Sequence, residues 1–568
     1  MLLSNLNLLT TAPDGVAKLR ELILTLAVQG KLVPQDPSDE PASVLLKKIR
    51  AEKDRLIAEG KIKRDRPLAE IAEDEKPFEL PKEWEWVKFG DVALISSGIT
   101  LGRKTPIASA TLLPYLRVAN VQRWHLNLTS MKQVVIDRSE LERFQLCDGD
   151  LLITEGGDWD KVGRTAVWRS ELTICLHQNH VFKARGTSGD WNPIWAELYL
   201  NSPVARSYFA SAAKQTTNLA SINMTQLKNC VFPVPPLAEQ SRIVTRVEEL
   251  MRLCDALQAK ARLEATQHAQ LVGTLLSALT ASTTPEELTD NWHRVATLFD
   301  LLLDRPEAVD ALEQTILQLA VRGLLVPQDP KDEPASALLQ KIRIEKDHLI
   351  AQGKIKRDKP LPPVAEDEKP FELPPDWEWV RLDAMCSVIT DGDHLPPPVA
   401  PVGIAFLTIG NISSGKLNFE GCRLVPPEYF DAIAEYRRPA KGDVLYTVVG
   451  ASYGRPVIVE TDRPFCVQRH IGILKPAMGI SLPYLGFLLA SQFMYGQATR
   501  SLTGTAQPTV GLRLLRNFPA PLPPLAEQSR IVARVASLRA LCADLRQRLT
   551  TARTQQVLLA QVLVENSV

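Results

Sequence analysis

The sequence predicts an α+β protein built by internal duplication, with two mixed α/β modules carried on long coiled-coil helices. Three observations predict it. First, the chain is written twice: LVPQDP at 32–37 returns at 325–330, AEDEKPFELP at 72–81 returns at 365–374, and PPLAEQSRIV at 235–244 returns at 523–532. Second, the blocks between these repeats, 83–236 and 376–524, differ widely from each other and read as short β-rich runs followed by helix. Third, a 3.5-residue apolar repeat follows each PPLAEQ, the pattern of a coiled coil. The displacement between matching blocks far exceeds a solenoid period, so the duplication is of whole domains.

Composition narrows the classes. With 45% hydrophobic and 23% charged residues in 568, the chain has the make-up of a packed globular protein. No run approaches the roughly 18 apolar residues of a membrane span, so no membrane partner is expected. The opening MLLSNLNLLTTAPDG lacks a basic leader region. Eight cysteines form no CxxC pair, which argues against a zinc ribbon or disulfide framework and for a reducing, cytoplasmic location. Sixty-six basic residues against 66 acidic ones remove global basicity as an argument for a nucleic-acid partner.

Along the chain, 1–82 reads as a helical region and linker. Leu19, Leu22, Ile23, Leu26 and Ala27 recur at helical spacing over 14–30, with Gly30 as a stop, and 307–323 is its twin. A second helix runs from Ser43 to Gly60 and again from Ser336 to Gly353, each preceded by a proline. The proline- and charge-rich stretches 61–82 and 354–375 read as extended linkers. The first module spans 83–236 and the second 376–524. Each opens on WEWV, passes through β runs, carries a helical stretch (193–213 or 482–500) and leaves by a proline-marked exit. Between them, 237–375 holds a long helix, a helical hairpin and a linker, and 525–568 forms a final long helix.

In the first long helix the seam is Ile243, Val247, Leu250, Cys254 and Leu257; in the second it is Ile531, Val535, Leu538, Cys542 and Leu545. Later seam positions are expected at His268 and Leu271, matched by Gln556 and Leu559, with the polar residue as a register device. Antiparallel pairing of the long helices would put the modules at opposite ends about an approximate two-fold axis. Parallel pairing would put them at one end, and periodicity favours neither.

Inside the modules, loops carry amides, hydroxyls and cations, the side chains that read base edges and phosphates. In the first module these are SSGITLGRKTP with Gly98, Thr100, Arg103 and Lys104, then GGDWDKVGR with Trp159 and Lys161, then the run containing Thr216, Thr217 and Asn218. The second module offers TDGDH with Gly392 and His394, VGASYGR with Ser452, Tyr453 and Arg455, then Arg469, and a late loop with Thr503, Thr505 and Gln507. Asn120 and Asn411 complete the candidate DNA-binding set.

Catalytic and metal motifs give only near misses. Gly410–Leu417 almost spells a phosphate loop, but leucine replaces the hydroxyl that should hold magnesium, so it reads as strand–turn–strand. Asn192-Pro193-Ile194-Trp195 lacks the second proline of the amino-methyltransferase tetrapeptide and reads as a helix start. No HExxH and no clustered His/Cys site appears.

The repeated LAVQGKLVPQ / LAVRGLLVPQ, the FELPxxWEWV entries, the GDLLIT / GDVLYT strands and the PPLAEQSRIV exits together resemble the specificity subunits of type I restriction-modification systems over nearly the whole chain. The resemblance implies two target recognition domains held apart by an antiparallel coiled coil with a pseudo-two-fold duplication. Each domain would read one half of an asymmetric, split site in double-stranded DNA. It further implies docking of two modification subunits, which carry S-adenosylmethionine and methylate adenine N6. Two restriction subunits using ATP and Mg2+ would complete the complex, and this chain would be non-catalytic and bind no cofactor. The first loop and the late Thr/Asn loop are the family's contacts with DNA, although Asp391 and Asp393 stand where the first module has a basic pair. An acidic side chain there could accept from cytosine N4. The rival classes are a self-sufficient methyltransferase or nuclease, a coiled-coil adaptor, and a solitary specificity subunit without active partners.

Overall fold

The computed structural model describes residues 6–101, 110–157, 161–216, 219–357, 359–394, 397–503 and 507–565. The chain divides into two compact units, Met1–Glu264 with Arg553–Val568, and Ala265–Ala552. No helix among the described residues is long and apolar enough to cross a membrane.

The first unit begins with α1 (Leu6–Thr11), α2 (Gly15–Val28) and α3 (Ala42–Ala58). Its module runs through β1 (Glu85–Lys88), α4 (Phe89–Val92), β2 (Ala93–Ser97), β3 (Ala110–Leu116), β4 (Lys132–Asp137) and α5 (Leu141–Phe144). It continues through β5 (Leu151–Thr154), β6 (Gly156–Gly157), β7 (Thr165–Val167), β8 (Leu176–His177) and β9 (Val181–Gly186). Then come α6 (Pro193–Leu200), α7 (Pro203–Ala212), the hairpin β10 (Lys214–Thr216) and β11 (Leu219–Ser221), α8 (Met224–Asn229) and β12 (Val231–Val234). The long α9 (Leu237–Ala281) starts here and ends in the second unit. The strands form sheets ordered β2-β9-β5-β7, β4-β3-β8 and β10-β11-β6, while β1 pairs with β12 and closes the module on itself.

The second unit repeats the plan. After α10 (Pro285–Thr297) and α11 (Phe299–Leu302) come α12 (Pro306–Val321) and α13 (Ala335–Ala351). The module strands are β13 (Glu378–Arg381), β14 (Cys386–Asp391), β15 (Ile404–Leu407), β16 (Arg423–Val425), β17 (Val444–Thr447), β18 (Pro456–Ile458), β19 (Phe465–Val467) and β20 (Ile471–Pro476). A short α14 (Pro427–Ala432) follows β16. Then come α15 (Leu482–Ala490), α16 (Gln492–Arg500), β21 (Leu502–Thr503), β22 (Thr509–Val510), α17 (Leu512–Asn517), β23 (Pro519–Leu522) and the long α18 (Leu525–Glu565). Sheets β14-β20-β17-β18, β16-β15-β19 and β13-β23 match those of the first unit strand for strand.

The repeated sequence blocks turn out to be parts of one latch, built once in each unit. Trp84 of WEWV donates its indole N–H to Glu239 Oε2 at 2.9 Å, and Gln35 of LVPQ donates to Glu239 Oε1 at 2.7 Å. Beside them Arg242 pairs with Asp39 of DEPAS at 2.6 Å. Trp377 donates to Glu527 at 2.9 Å and Arg530 pairs with Asp332 at 2.6 Å in the twin. Burial pushes both carboxyls upward in pKa, against the pull of their indole donors. The helix stops are equally specific. Gly30 lies at φ 69°, where a Cβ would stand 2.5 Å from Pro81, and Gly323 at φ 73° faces Pro374 the same way.

Two expectations need correction. The helical stretch 193–213 is two helices, because Ser202 caps a new one that starts at Pro203, and Ser491 does the same between α15 and α16. The seam holds only at its start. Ile243, Val247 and Cys254 are buried in one core with α2, along which Arg20 reaches Asp255 at 2.6 Å. Ile531, Val535 and Cys542 lie in the core that also holds α12 residues, with Leu538 and Leu545 packed against it. Further along, Leu271 is 40% exposed while Val272, Leu276 and Leu279 are buried. Leu559 is likewise exposed, while Ala560 is buried with Leu9 and Ala12. A 3.6-residue helix drifts about 20° per heptad from a 3.5 repeat, and the buried stripe has moved one residue on. His268 meets Asp304 and the carbonyl of Leu301, both at 3.1 Å, so it pins the turn after α11 within its unit.

Candidate nucleic-acid interface

The GDLLIT / GDVLYT strands build the frame of each interface. Gly149 (φ 79°) and Gly442 (φ 95°) turn the chain into β5 and β17. Asp150, fully buried, accepts from Cys147 N–H and pairs with Arg185 at 2.6 Å; Asp443 accepts from Ala440 N–H and pairs with Lys475 at 2.6 Å. At the other end of the strand Thr154 donates to the Lys161 carbonyl at 2.6 Å and accepts from Arg164 N–H. Thr447 donates to the Ser452 carbonyl and accepts from Arg455 N–H at 3.1 Å. One buried hydroxyl therefore ties the end of each strand to the later half of its glycine-rich loop. Sequence reasoning missed these threonines, although their place in a repeated motif is the signal that could have found them.

Around this frame three loops line up along one edge of the first module. After β2, Gly98 passes so close to β8 that a Cβ would lie 2.0 Å from the His177 carbonyl oxygen. Ile99 N–H donates to that oxygen at 2.8 Å, and Asn179 N–H donates back to Ile99 at 3.0 Å. His180 is next, its carbonyl accepting from Glu155 N–H and its Nδ1 2.7 Å from Glu155 Oε2. Glu155 leads into β6, which pairs with β11 of the hairpin whose other arm ends at Thr216. Thr100 is exposed at the start of this edge. Arg164 reaches across to Gln122 Oε1 at 2.6 Å. Burial lowers the His177 pKa to about 4, so its ring is neutral and donates from Nδ1 to Val181 O at 2.8 Å.

The second module repeats the arrangement with other side chains. A Cβ on Gly392 would lie 2.0 Å from Val467 O, and Arg469 N–H donates to Asp393 O at 3.0 Å. Val448 N–H donates to His470 O, and Gly450 N–H donates to Pro508 O in the hairpin that carries Thr503. Arg455 donates to the Ser413 carbonyl at 2.8 Å. Gly98 and Gly392 thus serve close backbone approach. Arg469, Thr503 and Gln507 are exposed, and Lys161 is half-buried in its turn. Ser452 and Tyr453 are half-buried, with the Tyr453 ring stacked on Tyr495 at 5.3 Å.

One candidate is corrected, and its twin is engaged through one amide atom. Asn120 is 1% exposed, accepts from Arg117 N–H at 2.9 Å and donates to the Asn127 carbonyl at 2.8 Å. Asn411 accepts from Thr408 N–H and Thr408 Oγ1, both at 2.9 Å. Both amide atoms of Asn120 and the Oδ1 of the half-buried Asn411 hold matching turns, 117–127 and 408–418. The acidic loop also differs from expectation. Asp391 is engaged by Arg437 at 3.0 Å and His394 at 2.9 Å, and Asp393 by Tyr429 OH at 2.5 Å. Burial, then Asp393, raises the Tyr429 pKa. These carboxylates organise the loop, and His394, with a 58% exposed side chain, is what it presents. Arg103, Lys104, Trp159, Thr217, Asn218 and Thr505 lie outside the described residues. Among the described residues no group of three or more His, Cys, Asp or Glu side chains could hold a metal ion.

Residues 81–267 and 374–552 both match a family model described as the type I restriction modification DNA specificity domain. The type I restriction enzyme EcoAI specificity subunit of Escherichia coli is 35% identical over 565 residues, covering 98% of this chain and 94% of that protein. The EcoEI specificity subunit of Escherichia coli is 34% identical over 577 residues, covering 97% and 93%. The crystal structure of the HsdS subunit from Thermoanaerobacter tengcongensis aligns with 19% identity and a TM-score of 0.37 over 87% of this chain and 98% of that one.

Proposed function

The chain belongs to the type I restriction-modification specificity subunits, and from that premise we propose how its two modules divide DNA recognition between them. Each module reads one half of an asymmetric, split site in double-stranded DNA. The observation that carries this is the repeated edge: the same backbone frame presents Thr100 in one module, and His394, Arg469, Thr503 and Gln507 in the other. A shared frame with different side chains suits two different half-sites, whereas a symmetric dimer reads a palindrome. Arg103, Lys104, Thr216, Thr217, Asn218 and Thr505 join the contact set through the family resemblance, and Trp159 and Lys161 through the polar and cationic content of their loop.

Chemistry belongs to partner chains in this reading. Two modification subunits bring S-adenosylmethionine and methylate adenine N6, with the target base swung out of the duplex. Two restriction subunits bring ATP and Mg2+, and the assembly works in the cytoplasm on intracellular DNA. The chain by itself binds none of these cofactors.

The test is to co-express the chain with its modification subunit and map methylated adenines by long-read sequencing. Exchanging residues 83–236 for the corresponding module of another specificity subunit should replace one half-site and leave the other and the spacing intact. A change in both halves, or in neither, sinks the assignment. A labelled-methyl assay on the isolated chain should give no transfer, and robust transfer would show that chemistry resides here.

A further inference from the structure

The two modules lock their first loop in different ways. The segment that leads into Asp150 or Asp443 aligns residue by residue, since Arg185 donates to the carbonyl of Gln145 at 3.3 Å and Lys475 to that of Arg438 at 2.9 Å. The residues just before these carbonyls are therefore equivalent, Phe144 in the first module and Arg437 in the second. The close-approach glycines, Gly98 and Gly392, align the loop itself. Ser97, Ile99 and Thr100 match Asp391, Asp393 and His394.

In the first module the lock is apolar. Phe144 is buried in one cluster with Ile99, Tyr115, Ile136 and Leu176. Apolar burial has no direction, so it holds the loop without aiming a polar side chain at its tip. In the second module the lock is polar. Arg437 sits on the turn Glu435–Arg437 and donates from Nε to the Asp391 carbonyl at 3.1 Å. Its Nη2 donates to Asp391 Oδ1 at 3.0 Å and to the Gly392 carbonyl. The second oxygen of that carboxylate, Oδ2, lies 2.9 Å from His394 Nε2. Asp393 steadies the backbone beside it, accepting from Tyr429 OH at 2.5 Å and from His394 N–H at 2.7 Å. The Arg437 and Asp391 side chains are mostly shielded from solvent, and the series of contacts surfaces at the exposed His394.

The direction of each bond follows from the groups. A guanidinium only donates and a carboxylate only accepts, so His394 donates from Nε2. The ring atom left over is Nδ1, which has no hydrogen-bond partner among the described residues. In the neutral ring Nδ1 accepts. The groove-edge groups that satisfy an acceptor are the exocyclic amino groups, adenine N6 and cytosine N4. We infer that Arg437 is a positioning residue for base recognition by the second module: through Asp391 it aims His394 Nδ1 at an exocyclic amino group of one base in the second half-site. Arg437 acts through Asp391 and not by touching DNA. The first module, with Phe144 and Ser97 in those places, has no such relay. The inference rests on the reading of the second module given under the proposed function.

The test uses the complex of the chain with its modification subunits. A labelled duplex carrying the mapped site is displaced by competitor duplexes, each altered at one base. At one pair of the second half-site, the parent should lose about tenfold in affinity when the amino-bearing base is replaced by an analogue without that group, purine for adenine or pyrimidin-2-one for cytosine. Arg437→Ala and His394→Ala should both abolish this discrimination and leave that of the first half-site intact. Asp391→Asn should abolish it as well, because an amide donating to Nε2 puts the ring proton on Nδ1. Arg437→Lys, which keeps one donor near Asp391, should retain part of it. Arg437→Ala/His394→Ala should lose no more than His394→Ala alone, since both act on one contact. First-half-site discrimination reports that a variant folds; if Arg437→Ala does not fold, Arg437→Lys and Asp391→Asn carry the same comparison. Three outcomes overturn the inference. One is a parent indifferent to amino deletion at every pair of the second half-site. Another is an Arg437 variant that weakens all duplexes alike with discrimination intact, the sign of a merely structural role. The third is a double variant whose loss is the sum of the single losses. A parent complex that discriminates no base in the second half-site defeats the underlying reading of the module, and the inference with it.

Discussion

Replacing Glu197 with glutamine removes a charge that burial makes costly. The side chain is 4% exposed, and its one hydrogen bond comes from Val167 N–H at 3.1 Å. Burial carries its pKa from the usual 4.5 to about 7, the backbone bond and Arg169 pulling the other way. The unfolded chain releases this proton near 4.5, while the folded chain keeps it until about 7. Stability contributed by the protonated form is therefore full below 4.5, falls as pH rises towards 7, and stays low above it. At 1.36 kcal/mol per pH unit, the loss amounts to about 3 kcal/mol. Glutamine keeps the acceptor for Val167 and carries no charge. Urea unfolding followed by tryptophan fluorescence between pH 4.5 and 8 should show the variant and the parent nearly equal at the acid end. The variant should gain up to about 3 kcal/mol at the alkaline end. A difference that does not change with pH would refute the argument that Glu197 is buried as a reluctant carboxylate.

Other substitutions test the latch and the interface frame. Trp84→Phe leaves the buried Glu239 without its indole donor and should cost about 1–3 kcal/mol in urea unfolding, with Trp377→Phe doing the same through Glu527. Gly392→Ala puts a Cβ 2.0 Å from the Val467 carbonyl oxygen, so methylation mapping should show weakened recognition of one half-site only. Thr447→Val removes the hydroxyl that holds the Ser452 carbonyl and Arg455 N–H, and should cost about 1–3 kcal/mol and loosen that loop to hydrogen exchange. His394→Ala should reduce affinity for the second half-site, and unchanged binding in a gel-shift titration would remove it from the contact set.

Much of the architecture was legible because the chain repeats. Identical blocks had to serve identical contacts, and the latch of Trp84, Gln35, Glu239, Asp39 and Arg242 explains why those blocks and not others stayed alike. Helix positions followed from apolar spacing and glycine stops. The candidate site was legible only as composition. Asn120 and Thr100 look alike in a sequence, yet one amide is spent on a buried turn while the other side chain faces solvent. No local pattern separates them, because hydrogen-bond partners come from residues distant along the chain. The acidic loop shows the same limit: Arg437 and Tyr429, which occupy Asp391 and Asp393, lie some 36–46 positions away.

The sequence by itself determined the duplication, the mixed modules, the long helices and the family, since each is a matter of periodicity or of matched residues. The tertiary structure decided where the apolar stripe of the long helices moves off the heptad positions, because a straight helix turns at 3.6 residues whatever its repeat. It also decided which loop side chains face out. The partners that fix those side chains, Arg437 on Asp391 among them, are brought up only by the fold.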